Sequence, residues 1–134
     1  MKLVKELKVD KAVRFVGFVD YDKIPEYLNA SDIFVSVPSS DSTSNSLLEA
    51  MACGVAPIVS DFPTSREIIK DGWSGYIVPQ RNSEALAKAI VKLIKNPKMR
   101  KSFGARCRKF VEENAHHYKE MKRMEELYMS FIKR

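Results

Sequence analysis

The stretch from Val37 to Gly54, VPSSDSTSNSLLEAMACG, constrains the fold of this chain more than any other. Ile33–Val37 is β-branched and aromatic, which is the pattern of a buried strand. Eight polar residues, 39–46, then form a loop, and Leu47–Cys53 has the apolar composition of a short helix. Gly54 stands where a helix commonly ends in a left-handed cap. The stretch therefore predicts a strand, a hydroxyl-rich loop and a helix that closes on glycine.

This order of elements places the polar loop beside the amino end of a helix. At the carboxyl end of a strand in an open parallel sheet, that is where ligands bind. The unpaired N–H groups and the positive dipole end of the helix favour an anion there. Two carboxylates frame the loop, Asp41 near its start and Glu49 inside the helix. Because Ser, Thr and Asn are also common in ordinary caps and turns, the loop by itself leaves a structural role open.

The same alternation of strand and helix runs along most of the chain. Asp20 or Asp22 can cap a helix that carries Ile24 and Leu28, and residues 64–67 match a capping box. Besides Ile33–Val37, the predicted strands are Val13–Val16, Ala56–Val59 and Tyr76–Val78. Strands that alternate with helices indicate right-handed crossovers and a parallel sheet. The fold class is therefore α/β, with a Rossmann-like parallel sheet of about four strands and flanking helices.

The last third of the chain, residues 83–133, is predicted to be helical throughout. A first helix presents an apolar stripe at three-four spacing, and Asn96 with Pro97 begins a second helix. A third helix follows Asn114 and carries its own apolar stripe, composed of Met121, Met124, Leu127, Tyr128, Phe131 and Ile132. We interpret residues 1–134 as a single domain.

Several motifs in combination resemble a known family. A carboxylate, seven residues and then Glu49 within LLEAMACG are followed by PIVSD and DGWSGYIVP. This pattern resembles the C-terminal, donor-binding lobe of retaining two-lobe (GT-B) glycosyltransferases of the family-four type. The resemblance runs from about Leu3 to the last helix. One departure is that the family usually has Glu-Gly-Phe-Gly where residues 41–44 read Asp-Ser-Thr-Ser.

The resemblance also implies that the lobe is incomplete in these residues. The family's lobe has six strands in the order 3-2-1-4-5-6, and the four predicted strands match the last four. The first two strands, and the Arg and Lys that usually grip the donor diphosphate, have no counterpart here. We expect the sheet to close by direct pairing of the first and second predicted strands, by exchange with a partner chain, or by both.

The resemblance assigns roles to individual residues. It implies that Glu49 accepts hydrogen bonds from the ribose hydroxyls of a donor nucleotide, and that Asp41 contacts the donor sugar at the catalytic centre. The backbone of the loop is implied to approach the sugar and the diphosphate, and a turn after the first strand to lie beside the base. The remaining donor-binding residues on this interpretation are Ser42, Thr43, Ser44, Asn45, Leu48, Gly17 and Phe18.

Charge and composition limit the partners. The formal net charge of +6 fits a solvated helical surface, and it leaves attraction to an anionic substrate or to membrane headgroups open. No aromatic platform is interleaved with the basic residues, so no nucleic-acid partner is expected. His116 and His117 are sequence neighbours that point apart on a helix, and we expect no metal and no cofactor. Cys53 and Cys107 lie in apolar helical patterns, which is typical of thiols in a reducing compartment and favours a cytoplasmic location.

The leading hypothesis from the resemblance is the nucleotide-sugar-binding part of a glycosyltransferase that transfers a hexosyl group to an acceptor hydroxyl with retention and without a metal. The donor is a UDP-, GDP- or ADP-linked sugar. The isolated chain is expected to be inactive without a separate acceptor lobe, and an unpaired strand edge together with the apolar last helix predicts a homodimer. The alternatives are a stand-alone nucleotide-sugar-binding module and a structural, oligomerising fragment without catalysis.

Overall fold

A computed structural model describes residues 2–40 and 44–132 of the chain. Asp41, Ser42 and Thr43, three of the predicted site residues, lie outside the described residues. Within the described part, the chain folds as an α/β structure around a parallel sheet with helices on both faces. The predicted fold class is therefore confirmed.

The sheet has three strands in the order β1-β2-β3: β1 (Ile33–Ser36), β2 (Ala56–Ser60) and β3 (Tyr76–Val78). Both pairs are parallel, with Ile33 opposite Ala56 and Ile58 opposite Tyr76. All five residues of the central strand β2 are buried, as expected of a strand covered on both faces. Because the strands are parallel, their carboxyl ends meet at one edge of the sheet.

Seven α-helices surround this sheet in the described residues. A 3₁₀ turn at Tyr21–Lys23 precedes the second of them. The helices are α1 (Lys2–Glu6), α2 (Ile24–Asn29), α3 (Asn45–Ala52), α4 (Pro63–Ile68), α5 (Ser83–Ile94), α6 (Pro97–Asn114) and α7 (His117–Ile132). The predicted helix after the polar loop starts two residues earlier than Leu47, and Gly54 adopts the predicted left-handed conformation with φ +72°.

Successive side chains of β2 point to opposite faces and divide the core in two. Ile58 packs with Phe103 on one face, and Val59 packs with Cys107 on the other. Phe103 and Cys107 both belong to α6, so this one helix contributes to both halves of the core. The position of α6 therefore sets the packing on each face of the sheet.

The predicted strand Val13–Val16 is not a strand. Residues 13–20 have no regular secondary structure, and Phe15 is 56% exposed. A strand needs a hydrogen-bonded neighbour, and no described segment pairs with this one. The resemblance implies that the neighbour of this segment in the sheet is one of the family's first two strands, which have no counterpart in these residues. The expected direct pairing with the next strand is therefore wrong, whereas exchange with a partner chain stays a prediction.

The predicted helix caps also needed correction. The helix α4 starts at Pro63 with Phe62 as its N-cap, so residues 64–67 lie inside the helix and form no capping box. Proline's fixed φ suits a first helical turn, which explains the earlier start. Asp20 precedes the 3₁₀ turn without a side-chain cap bond, and Lys23 is the N-cap of α2, so neither predicted aspartate caps that helix.

The last helix, α7, has no buried residue. Its apolar and aromatic side chains are all exposed, from 46% for Met124 to 80% for Tyr118. None of the helices in the described ranges combines the length and the apolarity needed to cross a membrane.

Two glycines bring α6 directly against the end of α3. A Cβ atom on Gly104 would overlap the carbonyl group of Gly54, whereas one on Gly54 would meet only ordinary contacts with Gly104. Gly54 lies two residues before β2. The backbone of α6 therefore crosses the amino end of the sheet at a distance that only glycine at position 104 permits.

We expect Gly104→Ala to destabilise the protein by about 2 kcal/mol or more, because overpacking forces backbone shifts. Helix propensity alone would give the opposite sign, a gain of about 1 kcal/mol. Urea unfolding followed by far-UV circular dichroism measures the change in the free energy of unfolding. Ser102→Ala on the same helix is the control, and a stabilised Gly104→Ala variant would show that the two backbones are not in contact.

The thiol of Cys107 makes stability depend on pH. Its Sγ donates to the carbonyl oxygen of Ser74 at 3.0 Å, and burial raises the pKa of the thiol from 9.0 to about 12. Above pH 9 the unfolded chain releases a proton that the folded chain keeps, so this contribution to the free energy of unfolding falls between pH 9 and about 12. Denaturation measured between pH 8 and pH 10.5 should show that the free energy of unfolding falls more steeply with pH for the unsubstituted protein than for Cys107→Ala. Equal slopes would contradict the prediction.

Candidate functional site

The carboxyl ends of β1 and β2 carry a group of hydroxyl side chains. Ser60, at the end of β2, donates its Oγ hydrogen to the carbonyl oxygen of Pro38, which follows β1, at 3.1 Å. A cavity of about 10 Å³ lies beside them, close to the volume that one water molecule requires. Its lining includes Ser36, Ser44, Ser60, Thr64 and Ser65. The sheet therefore presents polar groups at the edge where ligands of parallel sheets bind.

The helix α3 begins at this edge. Ser44 is its N-cap, in an extended conformation, and its side chain makes no cap bond. Instead, its Oγ lies 2.9 Å from the Oγ of Ser46. Because the Ser44 hydroxyl bonds to Ser46, it does not accept a hydrogen bond from the N–H groups of the first turn of α3. Those groups and the helix dipole favour an anion at the start of α3.

Glu49 lies just over one turn inside α3. Its side chain is half-buried and lines a cleft of about 170 Å³ between α2 and α3. The other lining residues are Tyr21, Ile24, Pro25, Leu28, Ala52 and Cys53. Glu49 thus supplies the only carboxylate among the residues that line this cleft.

Of the other predicted site residues that the structure describes, some lie at the start of α3 or in the core, and others lie away from the cleft. Asn45 is the exposed first residue of α3, beside Ser44. Leu48 is half-buried and packs against the core cluster around Met51, so its side chain supports the helix. Gly17 has φ +79° and Phe18 is 93% exposed, and neither lines the cleft that contains Glu49.

The structure adds an ion pair that the sequence analysis did not identify. Arg66 of α4 donates from Nε and Nη2 to the two carboxylate oxygens of Asp61, each at 2.6 Å. These hydrogen bonds hold the pKa of Asp61 below its usual value and raise the pKa of Arg66. Asp61 directly follows β2, so the pair fixes the connection to α4 near the polar edge. The five-residue separation gives no helical signal, which explains why the sequence pattern did not reveal it.

The cleft was also missed, since it depends on how two helices meet. Tyr21 precedes α2, and Cys53 is the C-cap of α3. No local pattern relates residues that lie more than thirty positions apart in the chain. An aromatic residue just before a predicted helix was the one signal available, and it is too common to indicate a site.

Comparison with known proteins identifies the family. The family model described as "Glycosyl transferases group 1" matches residues 1–110. An uncharacterized glycosyltransferase of Methanocaldococcus jannaschii is 31% identical over 125 residues, which cover 92% of this chain and 32% of that protein. The chain spans about a third of the length of the curated relatives it matches.

Solved structures share the fold. The C-terminal domain of a glycosyl transferase group 1 family protein from Francisella tularensis is 30% identical and superposes with a TM-score of 0.78, covering 85% of this chain and 59% of that one. HepE from Anabaena, solved with UDP, is 18% identical and has a TM-score of 0.91, covering 96% of this chain and 35% of that one. The chain therefore belongs to the glycosyl transferases group 1 family and corresponds to a C-terminal part of its GT-B fold.

Proposed function

We propose that this chain is the nucleotide-sugar-binding part of a glycosyltransferase that transfers a hexosyl group to an acceptor hydroxyl with retention. The observation that carries the proposal is the position of Glu49, whose half-buried carboxylate lines a cleft between α2 and α3 that has no other charged residue in its described lining. A carboxylate can accept hydrogen bonds from two vicinal hydroxyls, as a ribose presents them. Structures of HepE with UDP and with UDP-glucose support a nucleotide-sugar donor.

The other roles follow the same arrangement. The N–H groups at the start of α3, near Ser44 and Asn45, bind the diphosphate, because the first turn of a helix offers backbone donors and the positive end of the helix dipole to an anion. In this proposal the backbone at residues 42 and 43 approaches the sugar and the diphosphate, and Asp41 contacts the donor sugar. The turn at Gly17 and Phe18 approaches the base. Leu48 acts from the core side, by holding α3 in place.

Catalysis needs neither a metal nor a cofactor in this proposal. The negative charge of the leaving diphosphate is stabilised by backbone N–H groups and the helix dipole, which supply fixed positive partial charge. The acceptor binds to a separate lobe, and residues 1–134 act as one partial donor lobe whose helices at 83–133 support the sheet. These residues alone therefore bind the donor without transferring the sugar.

We also propose that two copies of the chain form a two-fold symmetric dimer. The apolar face of α7 is exposed, and no described segment pairs with Val13–Val16. Both surfaces are of the kind that another chain covers. A cytoplasmic location fits the thiols of Cys53 and Cys107, which are both free.

Isothermal titration with UDP-, GDP- and ADP-glucose tests the donor site. We expect saturable binding of at least one donor, and a loss of about tenfold or more in affinity for Glu49→Gln, because the amide accepts with one oxygen only and loses the charge. Glu113→Gln makes the same change of charge at an exposed position on α6, and this variant should bind like the unsubstituted chain. No binding of any donor at millimolar concentration would leave only a structural role.

The same titration with excess EDTA tests independence from metals. The affinity should stay the same, because backbone N–H groups carry the diphosphate. A loss of binding that Mg²⁺ or Mn²⁺ restores would contradict this part of the proposal. Transfer to an acceptor by residues 1–134 alone would contradict the need for a separate lobe.

Sedimentation equilibrium at micromolar concentration tests the dimer. We expect twice the monomer mass of 15.3 kDa, and dissociation in Phe131→Glu if α7 forms the joint. Ser130→Glu adds the same charge about 100° around the helix from Phe131, outside the apolar stripe, and should leave the dimer intact. A dimer that survives Phe131→Glu would place the joint at the unpaired edge, and a 15.3 kDa species unchanged on dilution would contradict the dimer.

A further inference from the structure

The ring of Tyr21 is an aromatic group that the proposed roles leave unused. It is 77% exposed and lines the same cleft as Glu49. Among the described residues, its side chain takes part in no hydrogen bond, ion pair or ring contact. Tyr21 also belongs to neither of the two core clusters. Its ring therefore contributes little to the stability of the fold and is free to meet a ligand.

The walls of the cleft differ in chemistry. Ile24, Pro25 and Leu28 on the α2 side are apolar, and Glu49 on the α3 side carries the charge. A nucleoside is divided in the same way, because its base is flat and aromatic whereas its ribose presents a vicinal diol. If the ribose diol binds Glu49, the base faces the α2 side of the cleft. Tyr21 lines that side with a ring that is flat and aromatic, like the base.

We propose that Tyr21 is the residue on which the nucleobase of the donor stacks. The inference rests on the proposed function, and it extends the donor site from the ribose to the base. Every base has a π face, so stacking of this kind tolerates different bases. Tyr21 therefore strengthens the binding of UDP-, GDP- and ADP-sugars alike, and the choice among them is made by other contacts.

Substitution of Tyr21 in the full chain measures its contribution. Tyr21→Ala should weaken the binding of each donor by about five- to a hundredfold, the range found when a stacking aromatic is truncated. Tyr21→Phe keeps the ring and should keep the affinity. Tyr118→Ala removes a tyrosine of similar exposure, 80%, from α7 and should change nothing. Circular dichroism checks that each variant is folded.

The two cysteines give an independent measurement. Cys53 is half-buried and lines the cleft, whereas Cys107 is fully buried with a raised pKa. A saturating donor sugar should slow the alkylation of Cys53 by iodoacetamide, because the base covers the cleft. Mass spectrometry separates the two sites, and Cys107 should stay unmodified with and without the donor.

The possible results distinguish a failure of the stacking role of Tyr21 from a failure of the proposed donor-binding function. If no nucleotide sugar binds the unsubstituted chain, the proposed function and the role of Tyr21 are both wrong. If a donor binds and Glu49→Gln weakens it, while Tyr21→Ala has no effect and Cys53 is alkylated at the same rate, only the role of Tyr21 is wrong. Weaker binding of all three donors to Tyr21→Ala, with protection of Cys53, supports it.

Discussion

The contact between the backbones of Gly54 and Gly104 is the constraint on which the rest of the structure depends. It holds α6 across the amino end of the sheet, so that Phe103 reaches one face and Cys107 the other. It also fixes the end of α3, little more than one turn after Glu49. Since protein interiors are close-packed, a shift of α6 would be felt in both halves of the core and along α3.

The amino and carboxyl ends of the strands differ in the contacts that they make. At the amino edge, Arg100 of α6 donates to the carbonyl oxygens of Leu93 and Ile94 at 2.7 and 2.8 Å, and it lies 3.4 Å from the carboxylate of Asp32 before β1. These contacts join α5, α6 and the start of the sheet. At the carboxyl edge, hydroxyl groups and the start of α3 line a small cavity, while the cleft that contains Glu49 lies between α2 and α3. The rigid edge thus supports an opposite edge that is left available to a ligand, as in other open parallel sheets.

The sequence analysis succeeded where the signal was local. Hydrophobic runs located β1, β2 and β3, and the glycine after LLEAMAC marked the end of α3 correctly. It failed at Val13–Val16, because a β-branched run shows that a segment can form a strand but not that a neighbour exists to pair with it. It also misplaced the start of α4, where Pro63 outweighed the expected capping box.

By itself, the sequence determined the α/β class and the polar segment before α3, and it named Asp41 and Glu49 as the candidate carboxylates, since each depends on residues close together in the chain. Only the tertiary structure decided that Glu49 shares a cleft with Tyr21 and Cys53, that Asp61 pairs with Arg66, and that α6 needs glycine at position 104. The physical reason is the same in each case. Propensity and periodicity act over a few residues, whereas a cleft or a close approach of two backbones exists only after distant segments have packed together.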